Sequence, residues 1–485
     1  MTDVYDLVVI GAGPAGQAAA ELAASFGRRV LIVEQHRPGG VVTTTGGAPT
    51  KALREAALYL TGFGQQEVYG VRAAAPLEVV LSSIGRRIAQ VRDVLQGVVA
   101  DQLAARGIGY LQGTARLVSD RTVRVTRPDG STCDLQASTI LVATGSRPTH
   151  FPGIPFDDPD VYDSDQIYAI RAAPRAIVII GGGAVGVEFA TIFTALGVPA
   201  TLVSREDRLL PTMDGELAQL LAEEFARRGV RLILGAGADA VARIDGRLTV
   251  TLSTGAVLQT DAVLFAAGRT PNTGDLGLEE AGVQLDARGR IVVDRYYRTT
   301  AAGVYAAGDV VSPALASTAR QQGRAAACHA CGLVIGVAVD QVPSSAVYGL
   351  PEVAGVGLTE EQVRATGLPY VVGRCDLART ARGAIAGQGG RLKLLFRADD
   401  RKLLGVHCLG DIASEVVGLG HMVLHIGGSV EVFLTLALNT PTYTSAYHDA
   451  VVDGLSRLAE LLGHSLGTAA RQPVTTGAVA DAGRP

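Results

Sequence analysis

The chain has 485 residues, 48% of them hydrophobic and 19% charged, which is enough apolar material for three or four packed units and too much for extended disorder. A formal net charge of −4 offers no cationic surface for nucleic acid or an anionic membrane. Five cysteines, at 133, 328, 331, 375 and 408, are too few and too scattered for a secreted disulfide framework, and suit a reducing cytoplasm.

The N-terminus, MTDVYDLVVIGAG, carries acidic residues and runs directly into a strand, unlike a signal peptide. The apolar run Leu7–Ile10 leads into GAGPAG, where Gly11, Gly13 and Gly16 have G-x-G-x-x-G spacing. A helical pattern to about Phe26 and a second strand, RVLIVE, ending at Glu34 complete the unit. Glycines at that spacing allow a tight turn and close backbone approach to a pyrophosphate, whose charge sits at the helix N-terminus. Glu34 stands where a carboxylate accepts hydrogen bonds from ribose hydroxyls. A short glycine-bounded segment, GGVVTTTGGAPTK, follows at 39–51.

The same pattern returns later. AIVII (176–180) runs into GGGAVG, with Gly181, Gly183 and Gly186, then a helix and the strand ATLVS. Three consecutive glycines and Glu188 interrupt this most apolar region, so it reads as strand, helix, strand and not as a membrane span. Two fingerprints predict two bound dinucleotides. The second strand ends in Ser204-Arg205, with no carboxylate where Glu34 stood; Arg205 and Arg208 would attract a 2′-phosphate, so NADPH is expected over NADH. Further on, Cys328 and Cys331 form a C-x-x-C in an Ala-rich helical run with no second pair at zinc-ligand spacing, so they read as helix cysteines and no metal site is expected.

With two fingerprints in this order, the chain resembles the two-dinucleotide-binding flavoproteins, the pyridine nucleotide-disulfide oxidoreductase family that includes dihydrolipoamide dehydrogenase and glutathione reductase. ATGSRP (143–148) and AAGRTPN (266–272) resemble its two strand-end turns between domains, VYAAGDV (304–310) its second FAD motif, and LPEVAGVGLTEEQ (350–362) and LLGVHCLGDIASE (403–415) parts of its interface domain. YDSDQIYAI (162–170), SREDRLLP (204–211) and NTPTYTSAY (439–447) are most similar to its soluble pyridine nucleotide transhydrogenase branch.

The resemblance implies an α/β fold of two nested Rossmann-like dinucleotide-binding domains plus an α+β interface domain. FAD would occupy residues 1–150 and 276–340, NAD(P) 151–275, and the dimer-forming unit 341–465, with a disordered tail at 466–485. It implies FAD contacts from Thr144, Gly145 and Asp309, a nicotinamide-coenzyme contact from Gly268, and a homodimer. It also places Lys51 at flavin N5, paired with Glu188. Ala184 stands where some members carry a tyrosine that shields the flavin.

Where the family's disulfide reductases read GG-x-C-x-x-x-x-C-x-P-S-K, this chain has Val42 and Gly47 at the cysteine positions. Where they carry His-Pro-Thr…Glu, it has Thr440-Pro441-Thr442 and Ser445. Both ends of the thiol mechanism are therefore missing. The expectation is a flavoenzyme that passes hydride directly between flavin and an organic molecule, a second nicotinamide or a small unsaturated metabolite. Its pocket would be formed by Val42, Thr43, Thr44, Gly47, Thr440, Tyr443 and His448. Tyr447 and His448 are candidate substitute proton donors, His448 reading equally well as an interface residue without chemistry. The alternatives are an NADPH oxidase and a non-catalytic flavoprotein partner.

Overall fold

The computed structural model describes residues 4–60, 77–170, 172–312, 315–333 and 342–463. The tail expected to be disordered, 466–485, lies outside them.

Apolar strands bounded by glycine turns build the first sheet. β1 (Val4–Ile10) and β2 (Val30–Glu34) run parallel, joined through the helix Pro14–Ser25. β3 (Gly109–Gln112) extends this parallel set beyond β2, after a long helix at Leu77–Ala105. β4 (Thr114–Leu117), β5 (Thr122–Thr126) and β6 (Thr132–Val142) form an antiparallel meander, and β6 closes back parallel on β1 to give the order β3-β2-β1-β6-β5-β4.

The chain then leaves this sheet through β7 (Ser146–Pro148). A second sheet collects β8 (Val161–Asp163), β9 (Ile177–Ile180), β10 (Ala200–Ser204) and β11 (Arg231–Leu234), and a side meander forms from β12 (Ala238–Ile244), β13 (Arg247–Leu252) and β14 (Val257–Thr260). β15 (Ala262–Phe265) completes the parallel order β11-β10-β9-β15-β8. Every residue of β9 and β15 is buried, as a parallel strand covered on both faces requires. β16 (Arg269–Pro271) returns antiparallel along β7, and β17 (Val304–Ala306) rejoins the first sheet beside β6. One sheet is thus inserted into the other.

The following helix, Ala316–Ala330, crosses Pro14–Ser25 so closely that a Cβ on Gly323 would lie 2.0 Å from the Ala15 carbonyl oxygen. Cys328 is buried on it, Cys331 ends it, and no disulfide joins any of the five cysteines.

The C-terminal part is an antiparallel sheet of β18 (Ser345–Val347), β19 (Glu352–Gly357), β20 (Tyr370–Asp376), β21 (Arg391–Arg397) and β22 (Leu403–Gly410), in the order β18-β19-β22-β21-β20. The helix Ala446–Leu461 lies flush on β20: a Cβ on Gly373 would lie 2.1 Å from the Ala450 carbonyl oxygen. Among the described residues, no helix is long and apolar enough to cross a membrane.

Candidate active site

Two glycine turns stand at the C-terminal ends of β1 and β9, and their packing repeats residue for residue. A Cβ on Gly11 would lie 2.4 Å from the Ala143 carbonyl oxygen, and one on Gly181 the same distance from that of Ala266. A Cβ on Gly16 would lie 2.0 Å from the Gly11 carbonyl oxygen, and one on Gly186 would lie 1.8 Å from that of Gly181. The outer glycines are therefore demanded by the protein's own backbone. The middle ones are not: a Cβ on Gly13 meets only the Gly40 Cα at 3.9 Å, and one on Gly183 meets nothing within 4 Å. Open space above the N-terminus of each helix is what a pyrophosphate needs, so both turns fit a dinucleotide. Glu34 braces the first turn, one carboxylate oxygen accepting from the Ala12 N–H at 2.8 Å and the other from the His36 N–H at 2.9 Å.

The other residues expected around these turns lie at their rims. Thr144 follows Ala143; its hydroxyl donates to the Asn272 carbonyl at 2.6 Å, and the Gly145 carbonyl accepts from the Asn272 N–H at 2.9 Å. Asp309 accepts from the Ser146 hydroxyl at 2.5 Å, and the adjacent Gly308 sits beside Ala15 of the first helix. Gly268, at φ +134°, comes two residues after Ala266 at the mouth of the second turn.

The helix Ala48–Leu60 carries Lys51 toward the helix Ala184–Ala195, where Glu188 waits. Lys51 Nζ lies 3.0 and 3.1 Å from the two oxygens of Glu188. Glu188 is nearly sealed, its side chain 7% exposed, whereas that of Lys51 is 33% exposed, so the lysine is the accessible partner and the carboxylate backs it. Tyr348 completes the clamp: its N–H donates to Glu188 Oε1 at 2.9 Å, and its ring centroid lies 4.5 Å from Lys51 Nζ. Ala184, at the start of the second helix, is exposed and presents only a methyl group to the opening.

Below Lys51 the same helix is pinned to the C-terminal sheet. Arg54 is buried; its Nη2 pairs with buried Glu352 at 3.1 Å and its Nε donates to the Gly349 carbonyl at 3.1 Å. Burial pushes the Glu352 carboxyl above the usual carboxylate range, while the Ser414 N–H and hydroxyl and the Arg54 charge pull it back. Thr50 bonds the Tyr168 hydroxyl at 2.5 Å, and burial drives that phenol's pKa far upward. Neither Arg54 nor Tyr348 carries a local sequence signal: an arginine in a helix and a tyrosine after a strand look like many others.

The segment expected to form the second face is a short helix, Gly40–Thr44. The Thr43 and Thr44 hydroxyls both donate to the Gly40 carbonyl, at 3.2 and 2.9 Å, so of the two roles open to them, bonding a substrate or filling the helix start, they take the second here. Val42 and Gly47 are in backbone contact: a Cβ on Gly47 would lie 2.4 Å from the Val42 carbonyl oxygen and 2.8 Å from its Cα. Thr440, Tyr443 and His448 stand in the C-terminal unit, and among the described residues no hydrogen bond or ring contact joins them to this segment within one chain. Tyr443 is buried, whereas Thr440 and His448 are exposed. Tyr447 is no proton donor to a substrate: it is fully buried, donating to the Val416 carbonyl at 3.0 Å and accepting from the Gly420 N–H at 3.1 Å.

At the end of β10, Arg205 is exposed and lies along Gly237, with no carboxylate partner among the described residues. Arg208 is engaged elsewhere: Nη1 lies 3.0 Å from Glu361 Oε1, and Nη2 donates to the Pro211 carbonyl at 2.8 Å. Only Arg205 of the two therefore faces solvent without a fixed counter-charge.

A nested pair of dinucleotide cradles with a lysine–carboxylate pair near their junction defines a two-nucleotide flavin oxidoreductase. The chain belongs to the pyridine nucleotide-disulphide oxidoreductase family: that family's model matches residues 5–323, and the model of its dimerisation domain matches 343–451. It is an FAD-dependent pyridine nucleotide oxidoreductase. It is 37% identical over 463 residues to the soluble pyridine nucleotide transhydrogenase of Mycobacterium bovis (strain BCG / Pasteur 1173P2), covering 94% of this chain and 98% of the relative. The enzyme of that name from Pseudomonas aeruginosa (strain LESB58) is 36% identical over 475 residues, covering 94% and 99%. Among solved structures, LpdA of Mycobacterium tuberculosis superimposes with a TM-score of 0.87 at 29% identity, covering 93% of this chain and 99% of that one. The flavoprotein disulfide reductase RclA of Escherichia coli, as its Cu(II) complex, superimposes with a TM-score of 0.84 at 26% identity and the same coverage.

Proposed function

We propose that the protein couples oxidation of NADPH to reduction of a second organic molecule by direct hydride exchange at the flavin, with no thiol relay. FAD bound in the first cradle would supply a two-electron carrier between the two partners. In this reading Gly11, Gly13, Gly16, Glu34, Thr144, Gly145 and Asp309 hold FAD, and Gly181, Gly183, Gly186, Gly268 and Arg205 hold the coenzyme. Lys51 would place a positive charge beside a bound flavin ring, favouring its more negative reduced form, while Glu188 and the Tyr348 N–H keep that charge in place.

The observation that carries the proposal is the contact between Gly47 and Val42. Where a relay would need two thiols, Val42 and Gly47 offer only an isopropyl group and bare backbone in contact with each other, a small apolar wall. Such a wall suits a flat ring or an activated C–H or C=C bond held over the flavin. The transhydrogenase relatives favour a second pyridine nucleotide as that molecule. Anaerobic mixing of the holoenzyme with NADPH and an oxidised NAD analogue should give steady formation of the reduced analogue. Oxygen consumption that no organic acceptor suppresses would point instead to an oxidase.

Two further outcomes are expected. Arg205→Glu should shift the NADPH-over-NADH preference by about tenfold or more toward NADH, because a carboxylate repels the 2′-phosphate and accepts from a free ribose hydroxyl; steady-state KM values for both coenzymes measure this, and an unchanged ratio would refute the role of Arg205. The protein should also be a homodimer built through residues 343–451. Light scattering should give twice the 50.0 kDa chain mass, and a single-chain mass at micromolar concentration would contradict it.

A further inference from the structure

The loop after β10, where a 2′-phosphate would be read, is bound to the C-terminal unit. The Leu210 N–H donates to the Gly182 carbonyl at 2.9 Å, fastening the loop to the second glycine turn. Glu361, 153 residues beyond Arg208, reaches in from the helix Glu360–Thr366. Its Oε1 accepts from both Arg208 Nη1 and the Gly215 N–H, each at 3.0 Å.

That carboxylate is held from behind. A capping box, Thr359 with Gln362, starts its helix. The fully buried Asp214 accepts from the Glu360 N–H at 3.0 Å and from the buried Lys393 ammonium at 2.9 Å. Lys393 in turn lies 2.6 Å from Glu360 and 3.1 Å from Glu216. Burial raises the Glu361 carboxyl's pKa, but its own backbone N–H, the Arg208 guanidinium and the Thr359 hydroxyl outweigh this and hold it below the usual range. Glu361 is therefore a fixed anion.

A guanidinium edge engaged with a carboxylate is not free for a phosphate. We propose that Glu361 is a specificity-determining residue for the coenzyme: it retains Arg208 and so limits recognition of the 2′-phosphate to what Arg205 provides. The inference rests on the reading of this loop as the ribose-facing segment. Its consequence is tolerance of both coenzymes at this loop.

The test is calorimetric titration of the holoenzyme with adenosine 2′,5′-bisphosphate and with 5′-AMP, alongside KM and kcat for NADPH and NADH. Glu361→Gln keeps an acceptor for the Gly215 N–H and removes the charge. It should raise the preference for the bisphosphate over AMP about tenfold, with the NADPH-to-NADH KM ratio moving in parallel. The gain should vanish when Arg208→Ala is added. An unchanged preference, or a gain that persists without Arg208, overturns the proposal. If Glu361→Gln folds poorly, Arg208→Ala alone decides: it should cost less than about threefold in preference where Arg205→Ala costs about tenfold, and equal losses overturn the proposal. Loss of the tenfold effect of Arg205→Ala itself would instead bring down the reading of the loop.

Discussion

Replacing Lys51 by methionine is expected to slow reduction of the bound FAD by NADPH about 100-fold, at nearly constant side-chain length. Removing one preorganised donor from a site of developing negative charge costs about 10²–10³ in rate, and the lower end applies because the Lys51 side chain is 33% exposed and partly screened. The substitution also leaves the Glu188 carboxylate with the Tyr348 N–H in place of a cation. Glu188→Gln should be milder, about tenfold, because an amide oxygen still accepts from Lys51 and only the opposing charge is lost. Stopped-flow absorbance at the flavin band measures both. A Lys51→Met rate within threefold of the parent would remove Lys51 from the mechanism, and equal losses in the two variants would mean that position and not charge matters.

Disulfides such as lipoamide or oxidised glutathione are expected to be inert toward this protein even when excess NADPH keeps the flavin reduced. No thiolate is present in the segment to attack them. Restoring cysteines at Val42 and Gly47 should not create a reductase. A Cβ at position 47 would stand 2.4 Å from the Val42 carbonyl oxygen, so Gly47→Cys must displace backbone and should cost about 2–3 kcal/mol in stability. The far side of the mechanism is equally unprovided: Thr440 stands at the histidine position and Ser445 at the glutamate position, and the Ser445 hydroxyl donates to the Thr442 carbonyl at 2.7 Å. Neither supplies an imidazole's proton exchange near neutral pH. Chemical denaturation of Gly47→Cys tests the packing claim, and turnover of either disulfide by the unmodified protein, at a rate comparable to NADPH oxidation, would overturn the thiol-free reading.

Much of the architecture follows from local pattern. The strand–glycine–helix units at 7–26 and 177–195 are legible because the turn needs glycines at fixed offsets, and the apolar run before each turn must be a buried strand. The outer glycines press on backbone only a few residues away or on the neighbouring strand, so spacing alone specifies them. The insertion of the second sheet into the first, and the Lys51–Glu188 pairing across 137 residues, were legible only through resemblance to a family, since no periodicity links such distant positions.

What the sequence could not determine is the choice of partner where several are equally suitable. Arg205 and Arg208 look alike as phosphate ligands, yet the helix at 360–366 brings Glu361 against one and leaves the other exposed. Thr43 and Thr44 read as hydroxyls for a substrate until the helix they sit on supplies the Gly40 carbonyl. Tyr447, next to the lost dyad, turns inward because helical geometry points it and its neighbour His448 to opposite environments. Lys393, on β21, is buried against the carboxylates of Asp214, Glu216 and Glu360. Local sequence sets which backbone shape a segment adopts; packing decides which charge, carbonyl or solvent its side chains meet, and partners such as Glu361 for Arg208 and Asp214 for Lys393 arrive from elements more than a hundred residues away.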